Sequence, residues 1–122
     1  MVEYTSVDGS LQAIVLRAGE ARLYPLGPVA DVEPDIRKLL AALGRLAYGT
    51  GSRASLEASH RAFMVLAAAL DGRLLSGLDL SPEAEVVVVP TGPLQGLPWA
   101  ALPSLADRPV TVAPSGSLWA RG

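Results

Sequence analysis

The chain has 122 residues, half of them apolar but only six aromatic, with ten basic residues against twelve acidic and no cysteine. That length suits one domain with a real core, filled of necessity by Leu, Val and Ala, and is too short for two comfortable ones. A formal charge of -2, with a single lysine at Lys38 and isolated arginines, supplies no field for nucleic acid, and the lack of cysteine excludes disulfides, thiolate catalysis and thiolate metal ligation for this chain on its own.

Two turn signals, YTSVDGS and AGE, divide the opening into three short strands expected over residues 2–5, 11–17 and 21–25. Asp8-Gly9 and Gly19 offer the permissive backbone of tight reversals, so an antiparallel meander is expected. In the middle strand Leu11, Ala13 and Val15 lie on one face and Gln12, Ile14 and Leu16 on the other. Both faces are largely apolar, which predicts a central position. The period then changes. Ile36, Leu39, Leu40, Leu43, Leu46 and Ala47 recur at three- and four-residue steps and predict a helix with one apolar stripe. Pro34 suits its first turn, Asp35 its positive end and Gly49 its stop, with Asp31 as an alternative, earlier cap. After a polar hinge over 50–54, Ser55 is the expected cap of a second helix on which Leu56, His60, Phe63, Met64, Ala67 and Leu70 share a face. This helix is the more apolar of the two and is expected to be the better buried, ending at Asp71-Gly72.

Four valines between Glu85 and Pro90 leave no polar face, the pattern of a strand buried on both sides in a parallel sheet covered by helices. Pro90 closes the strand, Thr91-Gly92-Pro93 is the loop at its C-terminal end, and LPWAAL over 97–102 is expected as a short helix or turn anchored by Trp99. Residues 109–113 are a candidate second strand, with Pro114-Ser115-Gly116-Ser117 leading toward a further helix. The uncharged run over 86–106 is no membrane span, since Pro90, Pro93, Pro98 and Pro103 interrupt it. The opening MVEYTSVDG lacks the basic and apolar regions of a signal peptide. The expectations are therefore a cytoplasmic location and neither membrane nor nucleic acid as partner.

GTGS at 49–52 and TGPLQG at 91–96 have neither the spacing and lysine of a phosphate loop nor a dinucleotide fingerprint. The second follows a buried strand, where α/β proteins place ligands, but its prolines remove backbone donors and favour turn architecture. His60 is the sole histidine, with no cysteine to activate and no second histidine to share a metal. Ser115 and Ser117 lack a G-x-S-x-G elbow, and Ser115 reads as a helix cap. Asp31, Glu33 and Asp35 belong to the electrostatics of a helix start. Trp99 and Trp119 read as packing residues. No residue is assigned a catalytic, cofactor-binding or metal-binding role.

In order along the chain, VEYTSVDGSLQAIVLRAGEARLYPLG, VVVVPTGPLQGLPWAALP and VTVAPSGSLW resemble the N-terminal part of a CHAT domain, a caspase-like family often linked to tetratricopeptide repeats. Pro90, Gly92, Leu94, Leu97, Pro98 and Trp99 match the family's Pro-x-Gly-x-Leu-x-x-Leu-Pro-aromatic segment, and Ala113, Pro114 and Ser115 match its Ala-Pro-Ser motif. The resemblance implies an α/β fold of meander, two helices and short parallel strands, a partial caspase-like sheet. The family's catalytic histidine and cysteine follow further strands beyond the Pro-Ser motif, so none of its catalytic roles transfers to a residue here. Residues 1–122 are thus expected to be a single domain or the N-terminal fragment of a larger CHAT-like domain, scaffolding a C-terminal catalytic portion, with repeat-protein domains as further partners. The alternative is a stand-alone interaction or oligomerisation module that associates with itself. A strand as apolar as 85–90 needs neighbours at both edges, from another chain or from the meander folding over its edge.

Overall fold

The computed structural model describes residues 1–49, 51–81 and 84–113. β1 (Val2–Val7), β2 (Ser10–Arg17) and β3 (Glu20–Pro28) form the expected meander, each strand reaching beyond the stretch its apolar pattern marks. Both hairpin loops have two residues with positive φ, Asp8 at 51° and Gly9 at 77°, then Ala18 at 52° and Gly19 at 80°. This backbone matches the right-handed twist of the strands it joins, and a glycine relieves one of the two left-handed positions in each loop.

α1 (Glu33–Tyr48) starts after Val32 without a side-chain cap and ends where Gly49 takes φ 61° and donates its N–H to the Arg45 carbonyl. Asp31 is not the cap; it faces Arg73 at 3.8 Å. The buried side chains are Ile36, Leu39 and Ala42, while Leu40 and Ala47 are exposed, so the buried stripe is narrower than the apolar one. α2 (Arg53–Leu74) departs further from expectation. Its cap is Ser52, not Ser55: the Ser55 N–H donates to Ser52 Oγ at 3.1 Å. The helix also runs through Asp71-Gly72 to Leu74. It buries Ser59, Ala67, Leu70, Asp71 and Leu74, whereas His60 is exposed and Met64 and Val65 are 55% and 68% exposed. It buries five of its 22 residues against three of 16 in α1, so the more apolar helix is the better buried by a narrow margin, although two of the five are polar. The two buried polar residues have partners: Arg45 Nε donates to Ser59 Oγ at 3.0 Å, and Asp71 accepts from Ser104. Such bonds are invisible to apolar periodicity.

β4 (Val86–Val89) and β5 (Val110–Val112) complete a mixed five-stranded sheet of order β3-β2-β1-β4-β5. β4 pairs in parallel with β1, Val2 opposite Val88 and Glu3 opposite Val89, and in parallel with β5. The meander therefore supplies the second neighbour of the valine strand from within the chain. Because β1, β4 and β5 are added in one direction, connections of one hand fall on one face. That face carries the main core: Val2, Tyr4, Leu11, Ala13, Val15, Val86 and Val88 meet Ile36, Leu39, Leu70 and Leu74 of the helices and Leu94, Leu97, Trp99, Leu102 and Leu105 of three 3₁₀ turns. The expected helical cover on both sides of β4 exists on one side only among the described residues. On the other, Val87 and Val89 are buried in a small cluster with Ala113 and Met1. The result is a mixed α/β fold with an N-terminal meander, two helices and a small mixed sheet.

Candidate functional site

At the C-terminal end of β4 the chain enters the 3₁₀ turn Gly92–Gly96, which places Leu94 inward and Pro93 and Gln95 outward. The Leu94 carbonyl accepts from Leu97 N–H at 3.2 Å and from Trp99 Nε1 at 3.1 Å. Trp99, 2% exposed, also stacks on Tyr4 with ring centroids 5.1 Å apart. The TGPLQG segment thus uses its inward groups to close its own turns. In GTGS, Gly49 ends α1 and Ser52 caps α2. The acidic trio does not converge, since Asp31 faces Arg73 and Glu33 faces Arg37, each at 3.8 Å. Ser115, Ser117 and Trp119 lie outside the described residues. Among those residues no group of three or more His, Asp or Glu side chains is placed to hold a metal.

Sequence reading passed over one buried polar junction. Asp71, only 7% exposed, accepts from the Ser104 N–H at 2.9 Å and from Ser104 Oγ at 2.7 Å. Three residues on, the Leu74 carbonyl accepts the Tyr4 hydroxyl at 2.8 Å. Burial, with the Asp71 charge as the lesser cause, raises the Tyr4 phenol well above its ordinary pKa. Ser104 belongs to the turn Pro103–Leu105, so the carboxylate caps a helical turn from a distance. No imidazole stands beside this pair to carry a proton, and the junction acts as a fastener of α2 to the segment before β5. An acid closing an otherwise apolar helix end, LAAALDG, was the signal in the sequence. Arg17 and Arg108 fasten the next loop: Arg17 Nη1 donates to Ser81 Oγ at 2.7 Å, and Arg108 Nη1 to the Ser81 carbonyl at 2.6 Å. Every buried side-chain polar atom among the described residues has a hydrogen-bond partner.

What remains unsatisfied is apolar. On the sheet face away from the helices, the register aligns Leu23, Ile14, Glu3 and Val89 in one row across β3, β2, β1 and β4. Leu16 and Met1 lie in the next row, joined by the Leu16 N–H to Met1 carbonyl bond. Leu16 is 37% exposed and Leu23 57% exposed, while Ile14 and Glu3 are half-buried. The edges differ. β3 carries Pro25, Pro28 and a register shift opposite Leu11 and Gln12, devices that blunt an edge. β5 has one partner, β4, among the described residues, and its Val112 is half exposed. The exposed β2/β3 part of this face and the β5 edge are the candidate functional surface among the described residues. No family model, curated protein or solved structure matches the chain.

Proposed function

We propose that the chain is the non-catalytic N-terminal portion of a CHAT-like cysteine peptidase domain, a scaffold on which a catalytic portion is assembled. The observation that supports this reading is the edge of the parallel strands: β1, β4 and β5 run parallel, and β5 has a partner, β4, on one side only among the described residues. An unpaired edge on a parallel set of strands is where a further strand adds. The scaffold contributes shape and a β5 edge for the next strand. The nucleophile and base are supplied by the catalytic portion, and tetratricopeptide repeats are the partner domains that the resemblance suggests.

The test has two arms. Incubated with a diverse peptide library, the chain alone is expected to show no turnover, and the encoding locus is expected to specify a histidine and a cysteine after further strand patterns. Turnover that copurifies with the chain and disappears in His60→Ala overturns the scaffold reading. A second reading, a stand-alone interaction module, is favoured by the exposed Met64 and Val65 on α2. Sedimentation across a concentration series separates the two, because self-association in proportion to concentration belongs to the module.

A further inference from the structure

We propose that the cleft between the end of α2 and the segment before β5 binds a free α-amino acid with an aliphatic side chain, its carboxylate on Arg108 and its ammonium on Asp79, Ser76 and Ser104. The proposal goes beyond the scaffold reading and does not depend on it. The cleft lies at the amino ends of β4 and β5, whereas the TGPLQG loop follows the carboxyl end of β4.

The cavity measures about 230 Å³ and is lined by Leu75, Ser76, Asp79, Leu80, Ser104 and Arg108. Sites for drug-sized ligands run to roughly 300–1,000 Å³, so the occupant here is small. Its walls are held from behind. Arg108 Nη1 donates to the Ser81 carbonyl at 2.6 Å and Arg17 Nη1 to the Asp79 carbonyl at 3.3 Å, which fastens the loop on both sides of Leu80. Across the cleft, the buried Asp71 carboxylate fixes Ser104 through bonds of 2.9 and 2.7 Å. A site held in this way loses little conformational freedom when a ligand enters.

The polar groups divide into one donor and three acceptors. The Arg108 guanidinium can only donate. Ser104 gives its hydroxyl proton to Asp71, and Ser76 gives its own to the Gly72 carbonyl at 3.0 Å. With those protons turned away, both oxygens meet a ligand as acceptors, beside the Asp79 carboxylate. Arg108 and Asp79 line one cavity without forming an ion pair with each other, so a ligand that carries both charges can bridge them. Three acceptors match the three N–H groups of an ammonium, and the fork of a guanidinium matches a carboxylate. A phosphate or a dicarboxylate would instead meet the Asp79 charge and two lone-pair surfaces. Leu75 and Leu80 are the apolar part of the lining, and they select an aliphatic side chain.

The probes are L-leucine, isocaproate, which lacks the ammonium, and isoamylamine, which lacks the carboxylate. Each is titrated to about 10 mM, enough to read a Kd of about 1 mM, into the isotope-labelled whole chain while amide chemical shifts are followed. Leucine is expected to shift the amides of Ser76, Asp79 and Ser104 and to bind about ten-fold more tightly than either analogue. Asn tolerates the left-handed backbone that Asp79 adopts at φ 52°, so Asp79→Asn keeps the loop. This variant is expected to level leucine with isocaproate while leucine keeps its lead over isoamylamine. Arg108→Gln is expected to do the converse; should it fail to fold, the Asp79→Asn comparison decides by itself. No shift at the three amides, equal binding of the three probes, or a leucine-to-isocaproate ratio unchanged in Asp79→Asn overturns the proposal.

Discussion

Replacing Trp99 with alanine tests the keystone of the core. The side chain is 2% exposed, stacks on Tyr4 at 5.1 Å and donates Nε1–H to the Leu94 carbonyl at 3.1 Å. Truncation removes the transfer free energy of the indole and leaves a cavity among Leu94, Leu97, Leu102 and Leu105, a change that costs about 3–5 kcal/mol in well-packed cores. The lost hydrogen bond adds little, because the Leu94 carbonyl keeps the Leu97 N–H at 3.2 Å and is not orphaned. A total of about 4 kcal/mol is a large part of the roughly 5–15 kcal/mol that holds a domain folded. Trp99→Phe retains a ring against Tyr4 and is expected to cost about 1–2 kcal/mol, which keeps the measurement interpretable if the alanine variant does not fold. Urea denaturation followed by far-ultraviolet circular dichroism reads both. A Trp99→Ala change within about 0.5 kcal/mol, the range of ordinary surface substitutions, refutes the packing account and reopens a ligand-binding role for the indole.

Asp71→Asn keeps one acceptor for Ser104 but loses the charge assistance in both bonds, and urea titration is expected to show a loss of about 1–2 kcal/mol, with no loss contradicting the fastener. Tyr4 carries a raised pKa in the fold, so the stability that its neutral form supports is complete below the unfolded value near 10 and is lost as pH rises above it, by up to about 1.4 kcal/mol per pH unit. Tyr4→Phe is expected to flatten that alkaline decline, and an unchanged slope between pH 10 and pH 11 argues against a buried phenol. Ser52→Ala removes the α2 cap and is expected to cost about 1 kcal/mol, whereas Ser55→Ala is near neutral; the opposite ranking by thermal melting restores the cap to Ser55.

Local chemistry alone was enough to place most of the elements. The Asp8-Gly9 and Ala18-Gly19 turns, the stop at Gly49, the valine strand ended by Pro90 and the turn around Trp99 all depend on neighbours within a few residues, and each is where periodicity and turn residues put it. The absence of thiol chemistry is likewise a matter of composition. Contacts between distant residues decided the rest. Arg45 reaching Ser59 and Asp71 reaching Ser104 put two polar residues on the buried side of α2, and no hydropathy period encodes a partner 14 or 33 residues away. The pairing of β1 with β4 joins strands separated by two hairpins and two helices, which strand periodicity alone does not register. That pairing also sets the order of the sheet: only when β2, β1 and β4 lie side by side do Ile14, Glu3 and Val89 become neighbours in one row.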